Sequence, residues 1–111
     1  MSTPRFPIPQ GTLDMLILQI VSLEPAHGYG IAQRLQQISR EAVQVNQGSL
    51  YPALHRLEQK GWLKSAWRQS ETGREAKFYS LTRAGGKQLA IEKESWNRLT
   101  TAVRLIFNEG K

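Results

Sequence analysis

Leu13, Leu16, Ile17, Ile20 and Val21 recur at three- and four-residue steps, so they form one apolar stripe and predict a core helix from about Gly11. Thr12 is the expected N-cap, and Asp14 suits the positive end of the helix. Pro25 requires the helix to stop before it, because proline lacks the N–H that continues the ladder. Ile31, Leu35 and Ile38 predict a second helix over residues 31–39, entered through an Ala-His-Gly-Tyr-Gly corner, with Gln33, Arg34 and Gln37 on its other sides. After a short link over residues 40–45, Leu50, Leu54 and Leu57 form the stripe of a third helix, with Ala53 beside them. Either Asn46 or Ser49 is its cap, and Pro52 is easier to place if the helix begins at Ser49.

Gly61 is a natural C-terminal stop, and the period then changes from helical to two. Trp62, Lys64, Ala66 and Arg68 alternate with Leu63, Ser65 and Trp67, and a second run over residues 76–81 carries Phe78, Tyr79 and Leu81. These predict a β-hairpin whose tip contains Gly73 and presents Arg74, with Lys77 just beyond. Thr82 then caps a long helix reaching about Phe107, with Gly85 and Gly86 a tolerable weakness near its start. In it, Leu89, Trp96, Leu99, Val103 and Ile106 follow a seven-residue repeat, with Glu92 in the one polar gap. A stripe this long wants a partner helix, and a homodimer joined through it is the economical explanation. Residues 1–10 carry three prolines and little periodicity, so an extended arm is expected there, with Arg5 a candidate contact.

The chain has 111 residues, enough for one domain with a small core that an oligomer would support. Its net charge of +6 and pI near 10.1 favour a polyanionic partner. Distribution sharpens this: eight of the 15 basic residues but only three of the 9 acids lie within residues 56–87. The absence of cysteine excludes disulfides and thiolate metal sites, and His27 and His55 are too far apart to suggest a metal centre. No cofactor is expected. The most apolar run, residues 13–21, contains Asp14 and Gln19 and is too short for a membrane span, so a cytoplasmic protein is expected. The Gly-x-Gly of the corner has neither a preceding strand nor a following Lys-Ser/Thr, which argues for a turn rather than a nucleotide loop. Asp14, Ser49 and His55 do not form a credible catalytic triad, since Ser49 and His55 lie six residues apart on one helix. An enzyme is not indicated.

Three helices followed by a hairpin, mainly α with a small β component and a long terminal helix, is the plan of a winged helix-turn-helix domain over residues 11–81, with a C-terminal dimerisation helix over residues 82–111. In that plan the second helix braces on the DNA backbone, the third enters the major groove, and the hairpin reaches a neighbouring groove or phosphate. The segments GTLDMLIL, HGYGIAQRL, QGSLYPALHRLEQKGWL and REAKFYSLTRAGGKQL together resemble the PadR family of transcriptional regulators, and the likeness runs from Gly11 nearly to the end. It implies a homodimeric DNA-binding repressor of the subgroup with one short C-terminal helix, acting on double-stranded DNA at an inverted repeat.

The resemblance places Gln47, Ser49, Tyr51 and Pro52 at the DNA-facing start of the third helix, and Tyr29 and Gln33 on the bracing helix. Gln47 and Arg56 are the long planar donors able to pair with a purine, with Gln47 the first choice for base reading. Ser49 and Tyr51 suit phosphates, although Ser49 reads equally as a cap and Tyr51 as a core aromatic with its hydroxyl at the rim. His55 is expected beside the groove, and Lys64, Arg74 and Lys77 add charge that is insensitive to sequence. Trp96 is either plain core or, as in drug-sensing members of the family, the wall of a site for a small aromatic effector between dimer helices. The alternative to a repressor is a winged-helix module for protein interaction or small-molecule sensing.

Overall fold

The computed structural model describes residues 8–109, so residues 1–7 of the expected arm, including Arg5, lie outside the described residues. Four helices, α1 (Gln10–Leu23), α2 (Gly28–Ile38), α3 (Gln47–Gln59) and α4 (Arg83–Phe107), accompany a small antiparallel sheet. Its strands are β1 (Ala26–His27), β2 (Leu63–Gln69) and β3 (Glu75–Leu81), in the order β1-β3-β2. This is a mainly helical winged helix. The core lies where α1, α2, α3 and the sheet converge: Ile17 and Leu18 of α1, Ile31 of α2, Leu50, Leu54 and Leu57 of α3 and Leu63 of β2 are fully buried. Removing such side chains from water is the main stabilising term in a domain this small.

The predicted helices form, but Ile38, expected on the buried stripe of α2, is exposed at the end of that helix, and several helix ends differ. α1 starts one turn early: Pro9 precedes it, Leu13 N–H donates to the Pro9 carbonyl at 2.9 Å, and no side chain caps it, so Thr12 lies inside the helix. Asp14 is buried and serves an ion pair with α3 instead of the helix end. The corner before α2 is more organised than a plain turn. Ala26 and His27 pair with Tyr79 and Phe78 as a third strand, and His27 Nδ1 then accepts the Gly30 N–H at 3.0 Å as the cap of α2.

Asn46, not Ser49, caps α3, accepting the Ser49 N–H at 2.9 Å. Pro52 therefore stands in the sixth position of the helix and deprives the Gly48 carbonyl of its usual donor, a cost eased because that end of α3 is exposed. Thr82 caps α4 by accepting the Gly85 N–H, and its hydroxyl also donates to the Gly61 carbonyl, tying the start of α4 to the end of α3. Gly85 is no weakness there. A Cβ at this position would stand 2.1 Å from the Trp62 carbonyl oxygen, so glycine is what lets α4 approach the sheet.

Candidate nucleic-acid interface

The chemistry of the third helix follows from which edge its leucines bury. With Leu50, Ala53, Leu54 and Leu57 turned inward, Gln47, Ser49, Tyr51, Pro52 and His55 are exposed on one side of the helix, nearest its N-terminus. The N–H groups of that first turn, beyond the one Asn46 takes, point outward with the positive end of the helix dipole. Tyr51 settles between two elements: its ring lies so close over Gly28 that a Cβ there would meet a ring carbon at 2.7 Å. The N-termini of α2 and α3 thus meet around the phenol of Tyr51, a residue still 44 % exposed. Tyr51 is not a core aromatic. Two helix N-termini side by side, with a hydroxyl between them, make a surface suited to phosphate oxygens.

On α2, Tyr29 and Gln33 are exposed, and Tyr29 stacks on the capping His27 ring with 6.4 Å between centroids. His27 in turn meets Phe78 of β3 edge to face at 5.2 Å, so the start of α2 and the sheet share an aromatic contact.

In the hairpin, Gly73 (φ 84°) makes the turn, with its N–H donating to the Ser70 carbonyl at 3.0 Å, and Arg74 is exposed at the tip. Lys64 is also exposed. Lys77 is not a free charge: its Nζ lies 3.3 Å from a carboxylate oxygen of Glu58 on α3. Ser65 Oγ donates to the other Glu58 oxygen at 2.6 Å, and that bond, joined by Lys77 and opposed by partial burial, holds the Glu58 carboxyl below the usual carboxylate range. The single acid on this edge of α3 is therefore masked by the wing.

Arg56 departs most from expectation. Its Nη2 donates to Asp14 Oδ1 at 2.9 Å, and its side chain is half-buried, so it braces α3 against α1 and does not point into the groove-facing edge. Gln47 remains as the exposed planar donor at the start of the helix. Sequence spacing offered no sign of this pair, which joins residues 42 apart.

Away from this face, the beginnings of α1 and the middle of α4 enclose an open groove of about 270 Å³, lined by Pro9, Thr12, Met15, Trp96 and Leu99 with Glu92 at its edge. Trp96, Leu99 and Ile106 are exposed and Val103 is half-buried. Leu89, grouped with them by the repeat, instead packs into the chain's own core.

Residues 17–91 match the family model described as the transcriptional regulator PadR-like family. The chain belongs to the PadR family. A transcriptional regulator of Mycobacterium tuberculosis is 38 % identical over 68 residues, 61 % of this chain and 63 % of that one. Among solved structures, a Streptococcus mutans protein superposes with a TM-score of 0.83 at 31 % identity, covering 94 % of this chain and 93 % of the other. A PadR-like transcriptional regulator from Bacillus cereus gives 0.79 at 30 % identity, over 92 % and 96 %. This PadR chain is accordingly a DNA-binding regulator and not an enzyme. No helix among the described residues is long and apolar enough to cross a membrane.

Proposed function

We propose that this PadR protein is a cytoplasmic homodimeric repressor that binds an inverted-repeat operator through α3 and is relieved by a small aromatic ligand. The observation that carries the reading is the set of exposed residues at the start of α3, Gln47, Ser49, Tyr51 and Pro52, beside the N-terminus of α2 and a basic wing. Gln47 reads a purine through its amide, whereas Ser49, Tyr51, Tyr29 and Gln33 hold backbone phosphates and fix the register. His55 borders the groove. Lys64 and Arg74 supply charge, with Lys77 contributing less because Glu58 already engages it.

Dimerisation is read from α4, whose Trp96 and Leu99 stay exposed beside the start of α1 and whose exposed Ile106 lies outside that groove. A dimer would present two recognition helices to half-sites about 34–36 Å apart, one turn of the duplex. Occupied operator near a promoter then excludes polymerase. The groove beside Trp96 is the natural place for a flat aromatic effector, because a ligand there touches both α4 and the start of α1.

Fluorescence anisotropy with duplexes from the region upstream of the gene tests the reading. Gln47→Ala and Tyr51→Ala should abolish sequence-specific binding while far-ultraviolet circular dichroism is unchanged; full specific binding by both variants would remove α3 from the recognition role.

A further inference from the structure

The wing carries an aromatic side chain that the charges around it do not explain. Trp67 is 67 % exposed. Its cross-strand partner is Lys77, and two residues along the ladder Ser65 faces Tyr79. Directly paired and alternate residues share one face of a sheet. Ser65 and Lys77 both reach Glu58 of α3, so this is the face turned toward the third helix, and Trp67 lies on its outward continuation. The opposite face uses its own aromatic internally, with Arg68 stacked on Phe78 at 4.3 Å.

We propose that Trp67 is an uncharged DNA contact, an indole wedge that packs against deoxyribose in the groove flanking the one α3 enters. The proposal rests on the DNA-binding reading of α3 given above. The charge of the hairpin selects the partner: residues 63–81 carry Lys64, Arg68, Arg74 and Lys77 against Glu71 and Glu75, with Arg74 at the tip, Lys64 and Arg68 on the opposite face and Glu75 on the face of Trp67, and the nearby carboxylate of Glu58 is masked by Lys77 and Ser65. The wing is a seven-pair ladder from Leu63 with Leu81 to Gln69 with Glu75, so the ring is carried on a stiff support. An indole has only two side-chain torsions to immobilise, which keeps the entropic cost of docking low. Apolar side chains inserted beside basic ones are a recurrent way of gripping a groove without reading its bases. The α4 groove does not compete for Trp67, which is absent from its lining.

The test combines a spectroscopic and a thermodynamic measurement on the full chain. In protein labelled with 5-fluorotryptophan, the ¹⁹F signal of Trp67 is identified by its loss in Trp67→Phe. An upstream duplex that binds the protein should shift the Trp67 signal. Trp67→Ala should weaken binding about tenfold, within the range for one aromatic stacking contact, and leave the slope of log K against log salt unchanged because no phosphate is neutralised. Trp67→Phe should recover most of that affinity. If the wild type binds while the Trp67 signal stays put and Trp67→Ala binds equally well, the wedge falls and the reading of α3 stands. If the signal moves with protein concentration and not with DNA, the ring belongs to a protein contact and the proposal is overturned. Failure of the wild type to bind any duplex overturns both.

Discussion

α3 and α4 are written with the same grammar, apolar residues at three- and four-residue steps against a basic opposite side, yet the fold uses them in opposite ways. Leu50, Leu54 and Leu57 of α3 are 1 %, 0 % and 0 % exposed, whereas Trp96, Leu99 and Ile106 of α4 are 42 %, 57 % and 68 % exposed. The difference is one of supply. α3 is enclosed by α1, α2 and the sheet, but the 25-residue α4 runs against a 14-residue α1 that can cover only its first part. Leu89 marks the changeover, being the last residue of the repeat that the chain buries in its own core. A stripe closed within the chain holds a shape; a stripe left open offers a place to assemble.

The strongest challenge to this contrast is a pair of leucine substitutions. Leu54→Ala should lower the unfolding free energy by about 2–5 kcal/mol, the usual cost of a cavity at a fully buried leucine, read from urea melts. Leu99→Asp should instead leave the helical content intact and halve the mass seen by light scattering at micromolar concentration. A cooperative loss of fold in Leu99→Asp, or an unchanged dimer, would erase the distinction between the two stripes.

A smaller effect concerns how the closed stripe is oriented. Asp14→Asn should cost about 1.5–3 kcal/mol at most, since Arg56 loses its carboxylate partner and keeps only a neutral amide oxygen to donate to, at a partly exposed site. Affinity for DNA should fall with it while the order of preference among operator sequences is kept, because Arg56 orients α3 and reads no base. Altered base preference in Asp14→Asn would return Arg56 to the reading edge.

The wing can be separated from the helix by salt. Arg74→Ala should weaken binding to all duplexes alike and reduce the magnitude of the salt slope by about 1, the signature of one lost phosphate contact. The smallest expected effect is one of pH. Because folding lowers the Glu58 pKa, chiefly through Ser65, the folded state binds that proton less readily than the unfolded chain. The stabilisation is present above the ordinary carboxylate range and is lost as pH falls through the lowered value. Urea midpoints followed from about pH 6 to about pH 3 should therefore drop less steeply in Glu58→Gln than in the wild type.

What could be read in advance was whatever depended on neighbours in the chain. The leucines of α3, the Thr82 cap, the turn at Gly73 and the two long strands all announce themselves through spacing or local backbone needs. The two-residue strand β1 did not, because Ala26 and His27 have no alternation to detect and exist as a strand only through Tyr79 and Phe78. Arg56 looked like a base reader for the same reason: its partner, Asp14, lies in another helix. The exposed Trp67 was visible only as one side of an alternating run, without a sign of whether that side would be covered.

By itself, then, the sequence determined the elements, their order, the basic balance of the wing and the membership of a family of DNA-binding regulators. Periodicity, capping and composition are properties of a chain segment and survive without knowledge of the rest. Only the tertiary structure decided which charges remain free and which apolar stripes remain open. Those outcomes depend on distances between remote segments: Asp14 withdraws Arg56, Glu58 engages Lys77, Gly28 admits the Tyr51 ring, and α1 ends before α4 does.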